Sequence, residues 1–393
     1  MPTPRRINWD VLRVLAVAAV LLQHATHAGP SVHQELGSPV FTVSLEMGAS
    51  TLVVISAFFA CASLAKGEPA RFLRNRLARL LPPYAAAAVL TYFVLTRLAP
   101  EGWSELEPRD LVVNVFMLQN WFPDARLVDF SYWTLPVQVT GFVAGALLFS
   151  RVRGNGLRVL LWVLVVGPLV LRIWTEDPGL VRTFYDGLGI HRAQLFAAGV
   201  GIWLWSKDRL GTSHLGALLV AVLAAQGIHS DDPESTLALG VMLLAIAACA
   251  KGPDWDVRPV RLLRRPIKWL AGISYGVYLV HQEIGYVVMA AVARFGPWAE
   301  LAAFLGVAVV LGWLLTRFVE QPAHRALTAG SRPVLVRLVL AAGLRRPQSH
   351  LGSAGAAPFI VAPLRRPVSH PMASAAEPAT AVASAAAVSA QPR

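Results

Sequence analysis

Apolar runs of membrane length recur along the chain, separated by short polar segments that are alternately basic and acidic. About 20 apolar residues carry a helix across a hydrocarbon layer of about 30 Å, and backbone polar groups leave helices as the way for such runs to cross. Ten segments fit, at about 9–28, 40–63, 82–99, 132–150, 157–174, 191–206, 212–229, 235–250, 269–293 and 299–319. The pattern predicts an all-α fold, a polytopic membrane helical bundle of about ten transmembrane helices. Within the long polar connection 100–131, Leu111-Val-Val-Asn-Val-Phe-Met-Leu-Gln-Asn-Trp-Phe122 is apolar but too short to span. It predicts a re-entrant or interfacial helix capping the bundle. Beyond Ala342 the pattern stops, and Ala, Pro and Ser dominate with almost no aromatic residues. Residues 1–342 are therefore expected to form the membrane domain and 343–393 a disordered tail.

Composition excludes a water-soluble fold. The chain is 55% hydrophobic and 15% charged with mean hydropathy +0.53, against roughly 25% charged residues in soluble domains. The net charge of +12 would suit a nucleic-acid partner, but its distribution points to topology instead. With the N-terminus inside, the alternation puts 23 Lys and Arg residues in inside segments up to Arg346 and six outside. That asymmetry orients membrane proteins, and it predicts both termini on the cytoplasmic side. The first run is too long for a signal peptide and lacks a small-residue cleavage site, so it reads as a retained anchor. Cys61 and Cys249 fall within predicted spans, which implies no disulfide framework and no zinc pattern.

Among the polar residues of the first apolar run, Asp10, Arg13 and His24 stand out. A guanidinium inside a span costs several kcal/mol, so ionisable residues there default to a functional hypothesis. Eleven residues make close to three helical turns, which puts Arg13 and His24 on one face about 16 Å apart along the axis. Asp10 sits one turn before Arg13 and can partner it. A snorkelling Arg13 and a packed, hydrogen-bonded His24 are the bland alternatives; the shared face favours function. A neutral imidazole in a partly desolvated site suits a general base.

Other candidates are weaker singly. Arg71, Arg74, Arg76 and Arg79 form a basic segment that the inside rule alone would explain, and that would equally suit phosphate through guanidinium forks. Glu46 lies near one end of the second span, facing the outer vestibule. His281 lies in the ninth span behind Ile273-Ser-Tyr-Gly-Val-Tyr-Leu-Val280, where a packed histidine and a functional one are equally expected. Glu320 closes the tenth span, as a helix-end acid at the surface or as part of a site.

Taken in order, these residues resemble the acyltransferase 3 family of integral membrane O-acyltransferases. Asp10, Arg13 and His24 stand in the places of its first-span signature. Val53-Val-Ile-Ser-Ala-Phe-Phe59 is similar to its second-span block, with Ala57 in place of a glycine. Phe72-Leu-Arg-Asn-Arg-Leu-Ala-Arg-Leu-Leu-Pro-Pro-Tyr84 matches its basic helix. Trp133-Thr-Leu-Pro-Val-Gln138, Ser274-Tyr-Gly-Val-Tyr-Leu-Val-His281 and Glu320-Gln-Pro322 match three further blocks. The family usually has a carboxylate where this chain has Gln138, an amide that hydrogen-bonds but cannot ionise.

The resemblance implies transfer of an acyl group, often acetyl, from cytoplasmic acyl-CoA to a hydroxyl of a carbohydrate or glycosylated product. No resident cofactor is implied, the partners being donor, acceptor and bilayer, without nucleic acid, in a bacterial-type plasma membrane. His24, Arg13 and Asp10 would be catalytic. Arg74, Arg76, Arg79, Trp133, Gln138, Ser274, Tyr275, His281 and Glu320 would bind substrate, with Tyr275, His281 and Gln138 as oxyanion donors. A transporter or flippase of small molecules or glycans, and a catalytically silent relative acting as a binding partner, are the rival expectations. No internal repeat supports the transporter, and retention of His24 opposes the silent relative.

Overall fold

The computed structural model describes residues 6–148, 151–152, 154–176 and 179–329. The expected tail 343–393 lies outside them. Among the described residues the fold is all-helical, without a strand. Helices of eight residues or more are α1 Ile7–Val32, α2 Met47–Leu64, α3 Pro69–Arg97, α4 Pro108–Val115, α5 Thr134–Leu148, α6 Asn155–Arg172 and α7 Leu180–Gly187. They continue with α8 Ala193–Ser206, α9 Thr212–Ser230, α10 Pro233–Lys251, α11 Arg264–Val280, α12 Gln282–Val292 and α13 Pro297–Thr328.

Seven of these, α1, α2, α3, α6, α9, α10 and α13, are long and apolar enough to cross a membrane, and α11 with α12 forms an eighth candidate bent by 78°. The chain is thus a multi-pass membrane protein. The expected segments 132–150 and 191–206 form helices of 15 and 14 residues, about 21–22 Å long and short of the hydrocarbon thickness. The bundle's outer surface is apolar in helical stripes: Val159, Val163, Val166 and Val170 on α6, and Leu237, Val241 and Leu244 on α10, are all exposed. Such faces meet lipid rather than water.

Two expected boundaries move. The basic segment 66–81 and the span 82–99 are one 29-residue helix that runs through Pro82 and Pro83, since a proline pair removes hydrogen bonds without forcing an end where packing holds the helix on both sides. The second span begins at Met47 rather than 40. The connection 100–131 does fold over one end of the bundle. Its first part is α4, opened by a capping box between Glu107 and Asp110. Asn114 is buried there, with its carbonyl accepting from the Tyr84 hydroxyl at 2.6 Å. The apolar run does not stay helical: Met117 turns left-handed at φ 58° and one short 3-10 turn follows.

The helix α2 is central, packing on α1, α5, α8 and α10. Close approach is built in by glycine: a Cβ on Gly48 would meet the Ala16 carbonyl oxygen at 2.5 Å, and one on Gly276 the Gly312 carbonyl oxygen at 2.3 Å. The first contact seats α2 on α1 and the second seats α11 on α13, so α1 is wedged in the centre where its polar residues meet neighbours.

A basic cavity and a histidine pair in the bundle

The polar face of α1 leads into the bundle. At the end that carries the chain's first helical residues, a cavity of about 750 Å³ is lined by Arg6, Asp10, Arg13, Lys66, Arg71, Arg76 and Arg79 with Trp9, Phe72 and His324. A narrower cavity of about 130 Å³ shares Arg13, Phe59, Arg76 and Arg79 and continues inward to Ser56, Thr134, Gln138, Ser274, Tyr275 and Tyr278. Together they make a funnel with a cationic mouth and a throat of hydroxyl and amide groups.

The basic helix sorts its arginines by face. Arg76 lies over the Phe72 and Phe142 rings at 5.6 and 5.2 Å, which holds its cation against apolar surface. Arg79 pairs with Glu320 at 2.8 Å, and the glutamate side chain is only 6% exposed. Glu320 is therefore no surface acid: it lines neither cavity and anchors Arg79. Arg74 lies off the funnel, while Arg71 lines its mouth and pairs with Glu68 at 3.0 Å. In the throat, the Ser56 hydroxyl donates to Gln138 Oε1 at 2.9 Å, leaving the Gln138 amide nitrogen as donor. Ser274 lines the throat but donates to the Ala271 carbonyl, and Tyr275 donates to the Leu80 carbonyl. The throat closes at Tyr278, whose hydroxyl donates to the Ser131 carbonyl at 2.7 Å and accepts from Thr134 at 3.1 Å.

Beyond this closure sits a histidine pair. The rings of His24 and His281 meet edge to face, with centroids 4.8 Å apart. Neither lines the funnel: Val17, its deepest residue on α1, lies seven residues before His24, about 10 Å along the axis. Each Nδ1 faces a backbone carbonyl, Val20 at 2.9 Å for His24 and Tyr278 at 2.8 Å for His281. A carbonyl can only accept, so each Nδ1 carries the proton and each Nε2 keeps a lone pair in the neutral ring. Nε2 of His281 is buried and has no hydrogen-bond partner among the described residues. Gln282 lies beside the His24 ring.

Both histidines stand at breaks in helical geometry. His24 opens a wide π-turn, in which the Gly29 amide returns to the His24 carbonyl; such turns favour functional positions. His281 is the hinge between α11 and α12. A broken helix strands carbonyls on one side and amides on the other. Here the His281 ring satisfies the Tyr278 carbonyl, the Tyr132 hydroxyl satisfies Leu279 at 3.0 Å, and Asp129 reaches the Glu283 amide at 3.4 Å. Glu320 likewise ends a π-turn, Thr316–Glu320.

On the far side of the pair, Glu46 accepts from Gln23 at 3.3 Å, and Trp133 lies under the Arg192 guanidinium at 4.8 Å. Trp133 is thus outside the funnel. Asp129 is buried and accepts from the Ser131 hydroxyl and amide at 2.5 and 2.8 Å. Burial pushes its carboxyl up to about 6, against these hydrogen bonds, which pull it down. Sequence reasoning missed Arg192, Glu283 and the pairing of the two histidines. The first two sit in blocks without periodic signal, and the pairing depends on a hinge. No group of three or more metal-ligating side chains gathers among the described residues.

The family model described as an acyltransferase domain matches residues 6–317 of this chain, from α1 into α13. Acyltransferase MdmB of Streptomyces mycarofaciens is 25% identical over 379 residues, which cover 82% of this chain and 92% of that protein. No solved structure matches.

Proposed function

The chain belongs to the acyltransferase 3 family and is an acyltransferase of the membrane, and from that premise we propose that His24 is the general base of an O-acyl transfer from acyl-CoA. The observation that carries this reading is the fixed tautomer of His24. Its Nδ1 proton is held by the Val20 carbonyl, so Nε2 is the basic atom, on the same helix whose Arg13 lines the cationic funnel.

The funnel would take the donor from the cytoplasmic side. Arg13, Arg76 and Arg79 would hold the CoA phosphates, with Arg71 recruited at the mouth in place of Arg74, and the acyl thioester would be threaded past Gln138 and, with the Tyr278 closure opened, to His24. Charged groups in this mouth give orientation and rate of capture. The acceptor hydroxyl, on a carbohydrate or glycosylated product, would approach from the far side past Glu46 and Gln282. His24 Nε2 takes the hydroxyl proton as the oxygen bonds to the acyl carbon. The C–S bond then breaks, and the proton passes to the CoA sulfur. The Gln138 amide nitrogen is the donor placed to meet the oxyanion, since Ser56 already occupies its carbonyl oxygen and the Tyr275 proton is committed to Leu80. His281 then orients and packs His24, its own Nδ1 proton being held by the Tyr278 carbonyl. Direct transfer needs one base; an acyl-histidine route would use the same atom as nucleophile.

The reading implies that α5 and α8 also cross the membrane, which with the bent α11–α12 pair makes ten spans. Both termini are then cytoplasmic and the address is a bacterial-type plasma membrane. Acetyl is the acyl group proposed. The test is CoA release from acetyl-CoA by purified protein in nanodiscs, wild type beside His24→Ala. Release that requires His24 supports the reading. Release unaffected by the substitution overturns it. A burst of acyl-enzyme without acceptor would replace direct transfer by the covalent route.

A further inference from the structure

Besides the funnel, the bundle holds a second large cavity of about 660 Å³, lined almost wholly by carbon. It lies between α5 and α6. These helices are consecutive in sequence yet do not pack on one another: α5 leans on α2 and α3, α6 on α8 and α9, and α8 forms the floor between them. One wall is the small-residue face Gly141, Ala144 and Gly145 with Leu148, and the other runs from Leu157 to Leu171. Fourteen helical steps give that wall about 21 Å, more than the 15 Å or so of hydrocarbon in one leaflet. Its lip is open, with Val163 54% and Leu171 37% exposed on the lipid-facing side.

Among the described residues one charged side chain lines the groove, Arg209. It lies at the end where Leu148, Val152 and Cys61 also line it, the same end as the cationic mouth of the funnel. Its guanidinium is 5.8 Å from the Trp203 ring centre and makes no ion pair among the described residues. The nearest acid in sequence, Asp208, is taken by Lys251 at 2.6 Å. Arg209 and the exposed Lys207 therefore present uncompensated positive charge above an apolar slot longer than one leaflet.

We infer that this groove binds one acyl chain of an anionic phospholipid, with the lipid phosphate held by Arg209. An apolar slot of this size does not hold water, and facing hydrocarbon it fills with hydrocarbon. A guanidinium at its rim selects phosphate, and uncompensated cations at this level favour anionic headgroups. The bound chain backs α5, whose neighbouring face, about 90° round the helix, sends Thr134, Gln138 and Phe142 into the throat. On the acyltransferase reading above, the lipid steadies Gln138, so turnover depends on the lipid supplied. The binding itself does not depend on that reading.

The experiment is native mass spectrometry of the full chain in detergent with dioleoyl phosphatidylglycerol or dioleoyl phosphatidylcholine added. The expected result is one retained phosphatidylglycerol per chain, at severalfold lower lipid concentration than phosphatidylcholine. Ala144→Trp, which fills the slot, should abolish retention. Arg209→Gln, at an exposed position, should keep chain binding but erase the preference between the two lipids. Val159→Trp, on the lipid-facing surface, should change neither. Retention that survives Ala144→Trp with a preference insensitive to Arg209→Gln overturns the proposal. So does a dimer replacing the lipid adduct, or displacement by inorganic phosphate alone. Absence of CoA release by the wild type would sink the acyltransferase mechanism and leave the lipid result standing.

Discussion

The cationic mouth and the histidine pair are held in opposite ways. Around the mouth, Arg13, Arg71, Arg76 and Arg79 line a wide cavity, and their anchors are an aromatic face, a surface glutamate or the buried Glu320. Of the two histidines His281 is fully buried and His24 partly so, each ring pinned by a backbone carbonyl and packed edge to face on the other. The mouth gathers charge over a broad area, where a displacement of an ångström matters little. The pair fixes one lone pair in one direction, where the same displacement would end the chemistry. Capture tolerates slack; proton transfer does not.

The largest expected effect lies at the pair. His24→Ala should lower kcat for acyl transfer by about 10²–10⁴-fold, the range for a lost general base, with the KM for acetyl-CoA little changed and the thermal midpoint in detergent preserved. His281→Ala should lower kcat less and lower the thermal midpoint as well, because it empties a fully buried site and uncovers the Tyr278 carbonyl. If the His281 variant lost more kcat than the His24 variant, the assignment of base and support would be reversed.

At the mouth the loss should appear in binding. Arg13→Ala and Arg79→Ala are each expected to raise the KM for acetyl-CoA by about 10-fold, the worth of one charge-assisted contact of roughly 1.5 kcal/mol. The discriminating substrate is an acetylated pantetheine without phosphates. With it, the variants and the wild type should have nearly equal KM. A difference that persisted would place these arginines in the chemistry rather than in phosphate capture.

The contrast also explains what could be read from the chain. Apolar length gave the helices, and alternation of charge gave the expected orientation, because both follow from the bilayer acting on composition. Arg13 and Asp10 were legible because a cation in an apolar run is costly enough to demand a reason, and they do line the funnel. The mouth could be counted but not sorted: spacing along the helix could not show that Arg74 leaves the funnel and Arg71 enters it. The histidine meeting was invisible. It requires a 78° hinge at His281, and nothing in Tyr278-Leu-Val-His-Gln-Glu283 breaks a helix by propensity. The break is held by Tyr132 and Asp129, which are far away in sequence.

Glu320 tests the mouth more gently. Glu320→Gln keeps the shape but removes the charge that anchors Arg79. Because Arg79 is half exposed, the free cation is still solvated, and the stability loss should be nearer 1 kcal/mol than the cost of a fully buried pair. The KM for acetyl-CoA should shift two- to threefold, in the same direction as for Arg79→Ala and without adding to it in the double variant. Full additivity would mean that Glu320 acts on something other than Arg79.

The smallest effect belongs to the hinge that serves the pair. Asp129 holds the start of α12 through the Glu283 amide, and burial raises its carboxyl to about 6 from an unfolded value near 3.9. The folded protein therefore holds this proton more tightly than the unfolded chain. The associated stability is fully present below about pH 4 and is lost as pH rises through 6, levelling off about one pH unit higher. Asp129→Asn keeps an acceptor for the Ser131 amide and cannot titrate. Between pH 4 and 7 the thermal midpoint of the wild type should fall by a few degrees relative to that variant. The comparison should be repeated in a Glu283→Gln background, because Glu283 faces the same carboxyl. If the two midpoints ran parallel across that window, Asp129 would hold no proton in the fold, and a charged carboxylate would be the group that keeps the hinge at His281 open.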